Sequence, residues 1–348
     1  MPTPSVTKLG DTTLEVPKVI FGTSSLGNLY QVVPYETKFE IISEWIKQAP
    51  GIVAADSAGK YGAGLALEVM GKALTELKID PKNIVISNKL GWRRAPLETE
   101  EPTFEPGAWF GLEHDAIQDI SYDGILRCYE EGCELLGDYK PQMVAVHDPD
   151  EYLAAATDDV DRAKRLDDIS GAYQALADLR EKGLVSAIGV GSKDWRVSQE
   201  LSKRCKMDWV MLATSLTLYT HDPELLAFVS AMKEQNVGVI NSAVFNGGFL
   251  VGGGFFDYRE ITGDRPGDKE LLAWREKFNT ICEQHGVKPA EACVAFGMSA
   301  PGVVATALSS SRPARVKTNV SLCNAMPPAE FWSDMKAAGL LRSDYTHV

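Results

Sequence analysis

The stretch GIVAADSAGKYGAG, residues 51–64, decides the fold. A short apolar run ends on an acid, Asp56, and a glycine-rich turn carrying Lys60 and Tyr61 follows. LALEVMGKALTEL (65–77) comes next, with Leu67, Met70, Leu74 and Leu77 at three- and four-residue spacing, the stripe of an amphipathic helix. This is one strand–loop–helix unit. Its "GK" is not a phosphate cradle, because it lacks the spacing and the following Ser or Thr of a P-loop. The glycines let the chain turn sharply, and Lys60 reads as solvated.

The unit recurs along the chain. KVIFG (18–22), GIVAAD (51–56), NIVISNK (83–89), QMVAVHD (142–148), VSAIGVG (185–191), DWVMLA (208–213), VGVINS (237–242) and GVVATAL (302–308) are nearly unbroken apolar runs, as strands buried on both faces require. Helical patterns lie between them at 35–49, 65–77, 123–137, 168–183, 194–205, 222–236 and 288–300, with another at 314–324. Several begin with Asp or Pro and end in Lys, Arg, Asn or Gly. Eight such strands predict an α/β fold, a (β/α)8 TIM barrel, in a single domain over residues 1–348. TKLGDTTLEVPK (7–18) predicts an N-terminal hairpin under the barrel, and 268–286 and 327–339 predict extra C-terminal helices. Two long connections, 91–118 and 246–268, follow strand ends on the face where barrel enzymes do chemistry.

The bulk numbers narrow the function. A formal charge of -13 over 348 residues disfavours nucleic acid and anionic membranes, whose phosphates such a field repels. With 45% hydrophobic residues, a large core can form. The six cysteines form no CxxC pair and read as small buried residues in a reducing compartment. A signal peptide and an apolar run of membrane-spanning length are both missing, so a soluble, cytoplasmic protein is expected.

In a barrel the strand ends converge. Asp56, Lys89 and His147 end successive candidate strands, and Tyr61 lies on the loop just past Asp56. Singly, each has an ordinary reading: a helix cap, a solvated edge lysine, a packing histidine, a loop tyrosine. Together they form a chemical unit. A buried Lys and Asp need each other, and an ammonium beside a phenol lowers the phenol's pKa.

That set resembles the active site of the aldo-keto reductases: an Asp, a Tyr five residues later before Gly, a Lys ending the next strand and a His ending the one after. KLGDTTLEVPKVIFGTSSLGN (8–28) also resembles the family's opening, and the resemblance runs from about residue 7 to residue 325. It implies an NADP- or NAD-dependent oxidoreductase with no metal. Tyr61 would be general acid and base, Lys89 and Asp56 would tune it, and His147 would orient the reacting oxygen. Gly22, Thr23, Ser192, Ser242, Val244, Asn246, Gly247, Ser309, Ser310, Arg315 and Asn319 are the implied cofactor residues. The chain departs from the family's pattern in places. Gly191-Ser192 replaces the usual Ser-Asn, the strand at 208–213 lacks its Gln, and Leu216 stands where an aromatic often stacks on the nicotinamide. Ser309 replaces the Lys that grips a 2′-phosphate, which argues for NAD, and Thr318 stands for the Glu often found before Asn319. Arg315 is retained, which argues for NADP.

Trp92, His147, Asp148 and Trp195 are the candidate substrate contacts, with Trp109, Phe110 and Phe245 as further mouth residues. Aromatics beside carboxylates suit a polyhydroxylated ring. VHDPD (146–150) and IGVGSKDW (188–195) most resemble the branch that oxidises free aldoses at carbon one, such as fucose and galactose. The expected function is an aldose 1-dehydrogenase acting on a small-molecule sugar or aldehyde, as a monomer or homodimer. The alternatives are an NADPH-dependent aldehyde or keto-sugar reductase, a cofactor-sensing regulatory subunit, and a barrel lyase using Lys89.

Overall fold

The computed structural model describes residues 6–49, 51–257 and 259–348. The chain opens with the antiparallel hairpin β1 (Val6–Lys8) and β2 (Glu15–Pro17), Val6 facing Pro17. Then β3 (Val19–Gly22) leads to α1 (Tyr35–Gln48), β4 (Val53–Ala58) to α2 (Leu65–Glu76), and β5 (Ile84–Leu90) to an arm of two antiparallel strands. The arm pairs β6 (Trp92–Pro96) with β7 (His114–Gln118). After it come α3 (Tyr122–Leu136), β8 (Met143–His147), α4 (Pro149–Ala154), α5 (Asp159–Glu181), β9 (Ala187–Ser192) and α6 (Trp195–Ser202). Next are β10 (Trp209–Ala213), α7 (Pro223–Glu234), β11 (Gly238–Ser242) and a small hairpin, β12 (Phe255–Phe256) with β13 (Arg259–Glu260). The chain finishes with α8 (Asp268–His285), α9 (Pro289–Gly297), β14 (Val303–Ser309), α10 (Ala314–Leu322) and α11 (Ala329–Ala337).

Strands β3, β4, β5, β8, β9, β10, β11 and β14 close a parallel barrel, and they are the eight runs read from the sequence. The connection at 246–268 holds the β12–β13 hairpin and α4 follows β8, neither of which was expected, and two further structures also depart from expectation. The connection at 91–118 holds its own hairpin. The helix expected from residue 168 begins at Asp159, where Asp158 caps the amide of Asp161. Its first turns are too polar to show an apolar stripe, so periodicity misses them.

Side-chain alternation sorts each strand between two layers. On β4, Val53 and Ala55 face the helices while Ala54 faces inward. On β8, Val144 and Val146 face the helices while Met143 and Ala145 face inward. The lower interior is filled by Ile20, Met143, Trp209, Met211 and Ile240, and Leu9 and Val16 of the hairpin pack into the same cluster. The hairpin therefore plugs the barrel bottom. The same alternation carried upward points Asp56, Lys89, His147 and Ser242 into the barrel mouth, where all four line one cleft.

Candidate functional site

The cleft encloses about 420 Å³ above the barrel's C-terminal rim. Asp56 and Lys89 lie at its base, 3% and 2% exposed. The Lys89 ammonium donates to the Asp56 carboxylate, and its Nζ also lies 3.3 Å from the Ser57 carbonyl. Ser87 Oγ donates to the other Asp56 oxygen at 2.9 Å. Gly191 makes room for this pair, since a β-carbon there would come within 2.6 Å of Lys89 Cδ. Lys89 Nζ stands 4.6 Å from the centre of the Tyr61 ring.

The Tyr61 loop is held by a close backbone approach. Gly62 has φ +62, and a β-carbon on it would sit 2.3 Å from the Gly27 carbonyl oxygen. Tyr61 stacks on Trp109 at 5.8 Å and meets the edge of His147 at 5.6 Å. Burial, with the Asp56 and Asp148 carboxylates, pushes its phenol well above its ordinary value, against the opposing pull of Lys193 and Lys60. This reverses the expectation that a neighbouring lysine dominates: the Lys89 charge is matched by Asp56. Burial likewise pushes His147 well below the usual imidazole range, more than Asp148 raises it. His147 is a neutral ring, and its Nδ1 is buried without a hydrogen-bond partner.

One wall of the cleft is ionic. Lys60, read as solvated, is 1% exposed. Its Nζ lies 2.8 Å from Glu105, 2.8 Å from Asp148 and 2.7 Å from Glu151. The reading fails because Lys60 turns inward over the mouth, under the Trp92 ring at 4.7 Å. Lys193 joins at 2.5 Å from Glu151 and 3.3 Å from Glu105. Burial works against the Asp148 carboxylate, but the Lys60 and Lys193 ammonium groups around it, with a hydrogen bond from Lys60, hold its pKa below the usual range. Breaking such a buried cluster by removing one partner typically costs about 3–5 kcal/mol. Lys60, Glu105, Glu151 and Lys193 were not legible as site residues. The available signal was adjacency: Lys60 precedes Tyr61, and Lys193 follows Ser192.

The other expected residues divide. Gly22, Thr23, Ser192, Ser242, Val244, Gly247, Ser309 and Ser310 line the cleft; Asn246, Arg315 and Asn319 do not. Asn246 is buried on Asp257, and Asn319 supports the Ser309 carbonyl from below. Arg315 is exposed on α10. Leu216 is wholly buried outside the cleft, and Met211 and Thr214 line that wall instead. Asp148 and Trp109 line the mouth, whereas Trp92 lies behind Lys60 against Phe104. Trp195 is misplaced by the sequence reading. As the first residue of α6, after its cap Asp194, it turns into the helix layer and stacks on Phe228 at 6.1 Å.

The donor set fits a dinucleotide. Ser192, Ser242, Ser309, Ser310 and Ser311 line the cleft from the Tyr61 end to the α10 end, and the hydroxyls of Ser192, Ser242 and Ser310 donate to the carbonyls of Asp194, Leu212 and Arg312. Between them, Ala243, Asn246, Gly247 and Gly248 all take positive φ, in a tight turn where the Asn246 and Gly248 amides donate to the Ala243 and Phe245 carbonyls. By rotating from the backbone carbonyls, these hydroxyls can supply neutral donors to a polyanion within an acidic protein.

Known proteins agree with this architecture. Residues 18–339 match the model of the Aldo/keto reductase family. The chain is 27% identical to a pyridoxal 4-dehydrogenase of Microbacterium luteolum, covering 96% of this chain and 97% of that one. It is 25% identical to a D-threo-aldose 1-dehydrogenase of Pseudomonas sp, covering 94% and 95%. An aldo-keto reductase from Bacillus halodurans, solved in its holo form, superposes with a TM-score of 0.70 at 21% identity, covering 99% and 98%. No described helix is long and apolar enough to cross a membrane. With its closed eight-stranded barrel and polar mouth, the chain belongs to the aldo/keto reductase family, oxidoreductases that use nicotinamide cofactors.

Proposed function

We propose that the chain is an NAD(P)-dependent dehydrogenase of polyhydroxylated cyclic hemiacetals, an aldose 1-dehydrogenase in the first instance. The observation that carries this is the placement of Tyr61 between Lys89, His147 and Trp109, facing a wall of carboxylates and ammonium groups. Bound nicotinamide supplies the hydride acceptor. The chain's own residues handle the oxygen and its proton. Neutral His147 holds the reacting oxygen by a hydrogen bond, and Tyr61 takes the hydroxyl proton as the carbonyl forms. Asp56 and Lys89 fix the floor beneath the phenol. In reduction the same phenol donates, and its raised pKa keeps it protonated for that step. Glu105, partly exposed and lining the cleft, accepts from the hydroxyls of a sugar ring.

A panel of aldoses crossed with NAD and NADP, read by nicotinamide absorbance, tests the reading. Failure to turn over any aldose or simple aldehyde with either cofactor defeats it. Pyridoxal belongs in the panel, because the relative named for it matches this chain at 27% over nearly its whole length. It too forms a cyclic hemiacetal. Faster turnover of pyridoxal than of any aldose makes it the substrate class. Comparing rates in both directions near neutral pH separates a dehydrogenase from an aldehyde or keto-sugar reductase.

A further inference from the structure

We propose that Lys60 is a positioning residue for proton transfer at Tyr61, acting through the buried ionic knot it forms with Glu105, Asp148, Glu151 and Lys193. The proposal rests on the reading of Tyr61 as the proton carrier.

The knot ties together the segments that build the cleft. Lys60 precedes Tyr61, Asp148 follows His147, and Lys193 follows Ser192. Glu105 receives the Trp109 indole N–H at 2.8 Å, and Trp109 stacks on Tyr61. Asp148 takes φ 49, uncommon for a non-glycine residue, where the chain turns from β8 into α4 and its carboxylate meets Lys60 at 2.8 Å. Carboxylate oxygens of Glu105, Asp148 and Glu151 lie within 4.8 Å of one another, a spacing that would suit a metal ion, but the Lys60 ammonium stands within 2.8 Å of all three. One buried ammonium thus joins the Tyr61 loop, the end of β8, α4 and the arm beyond β5.

The knot also sets the field at the phenol. Asp56 and Lys89 face Tyr61 from β4 and β5, His147 and Asp148 from the end of β8, and Lys193 from beyond β9. Glu105 faces it from the arm and Lys60 from its own loop. Lys60 and Lys193 oppose the rise that burial and the Asp56 and Asp148 carboxylates impose on the phenol. Without Lys60, the Glu105, Asp148 and Glu151 carboxylates of the knot would keep only their longer or shared contacts with the Lys193 ammonium.

The test compares wild type, Lys60→Met, Lys60→Arg, Glu105→Gln and Tyr61→Phe, using L-fucose or whichever aldose of the panel turns over faster. The readouts are kcat against pH for oxidation, cofactor KM and the melting temperature. Oxidation needs the ionised phenol, so its rate rises with pH toward the Tyr61 pKa, and a higher pKa shows as a lower rate at every pH below it. Lys60→Met is expected to lower kcat about tenfold or more and move that limb to higher pH, with cofactor KM nearly unchanged. Lys60→Arg, which keeps the charge, is expected to restore much of the rate. Glu105→Gln removes a negative charge from a partly exposed site and is expected to move the limb to lower pH. It decides the matter if Lys60→Met does not fold. Opposite limb shifts support positioning through charge, because a merely structural role moves melting temperature alone. Unmoved limbs in the variants that fold, with Tyr61→Phe inactive, overturn this proposal and leave the proton-carrier reading intact. Full activity in Tyr61→Phe overturns the proton-carrier reading itself.

Discussion

The two ends of the barrel use the same inward strand faces for opposite purposes. On β8, Met143 and His147 both point inward, one in the apolar plug and the other in the cleft. On β5, Val85 lies below and Lys89 above; on β4, Ala54 lies below and Asp56 above. The lower layer is dense and apolar, crossed by Trp209, and closed by Leu9 and Val16 of the hairpin. The upper layer is small or charged, and it holds space instead of filling it. Two to four residues along one strand thus separate holding the fold together from doing chemistry, as is general for this architecture. Charge survives at the upper end because each ion meets its partner there: Lys89 with Asp56, and Lys60 with three carboxylates.

Substitutions at the two ends should separate accordingly. The largest effect is expected from Tyr61→Phe at the upper end, with turnover reduced by about 10²–10⁴ and the melting temperature and cofactor binding retained. Steady-state kinetics beside a thermal melt check it, and a large loss of stability would mean that the upper layer also carries the fold. Trp209→Ala at the lower end should do the reverse. This side chain is 0% exposed, and its loss should cost about 3–5 kcal/mol of stability in denaturant unfolding, while cofactor KM in the folded fraction stays put.

His147 links the ends through pH. Its folded-state pKa is depressed, so the stability it contributes is present above its unfolded pKa and is lost as pH falls. Below about pH 6.5 the unfolded chain binds a proton that the folded chain refuses, worth up to ~1.4 kcal/mol per pH unit. His147→Gln should therefore show a shallower loss of stability between pH 7 and pH 5. Equal slopes in the two proteins would show that the imidazole protonates within the fold.

The smallest effect is expected at the α10 end. The lining there is Ser309, Ser310 and Ser311, with Arg315 exposed nearby in sequence on α10. Arg315→Ala should raise KM for NADP by roughly tenfold, about 1.4 kcal/mol, and leave NAD unchanged. If both cofactors weaken equally, Arg315 acts on the adenosine generally and not on a 2′-phosphate.

Strand positions and the inner site were legible because they rest on local periodicity. Apolar runs ending at Asp56, Lys89 and His147 determine the strands, and a period of two determines which residues face inward. A parallel barrel then places those three at one rim. The turn from Asp56 to Tyr61 was legible from its glycines. Trp195 was misassigned because an aromatic just past a strand end can turn into the mouth or into the helix layer, and the start of α6 at Trp195 decides which.

By itself, then, the sequence determined the barrel, its order of strands and the meeting of Asp56, Tyr61, Lys89 and His147, since each depends on pattern within a few residues. Tertiary structure alone decided the fate of Lys60. Its three acidic partners lie 45, 88 and 91 positions away, from Lys60 to Glu105, Asp148 and Glu151. No local pattern distinguishes a lysine that will reach such partners from one that stays in water. The structure also set the direction of the Tyr61 pKa, because burial and opposing charges summed over several strands outweigh any single neighbour.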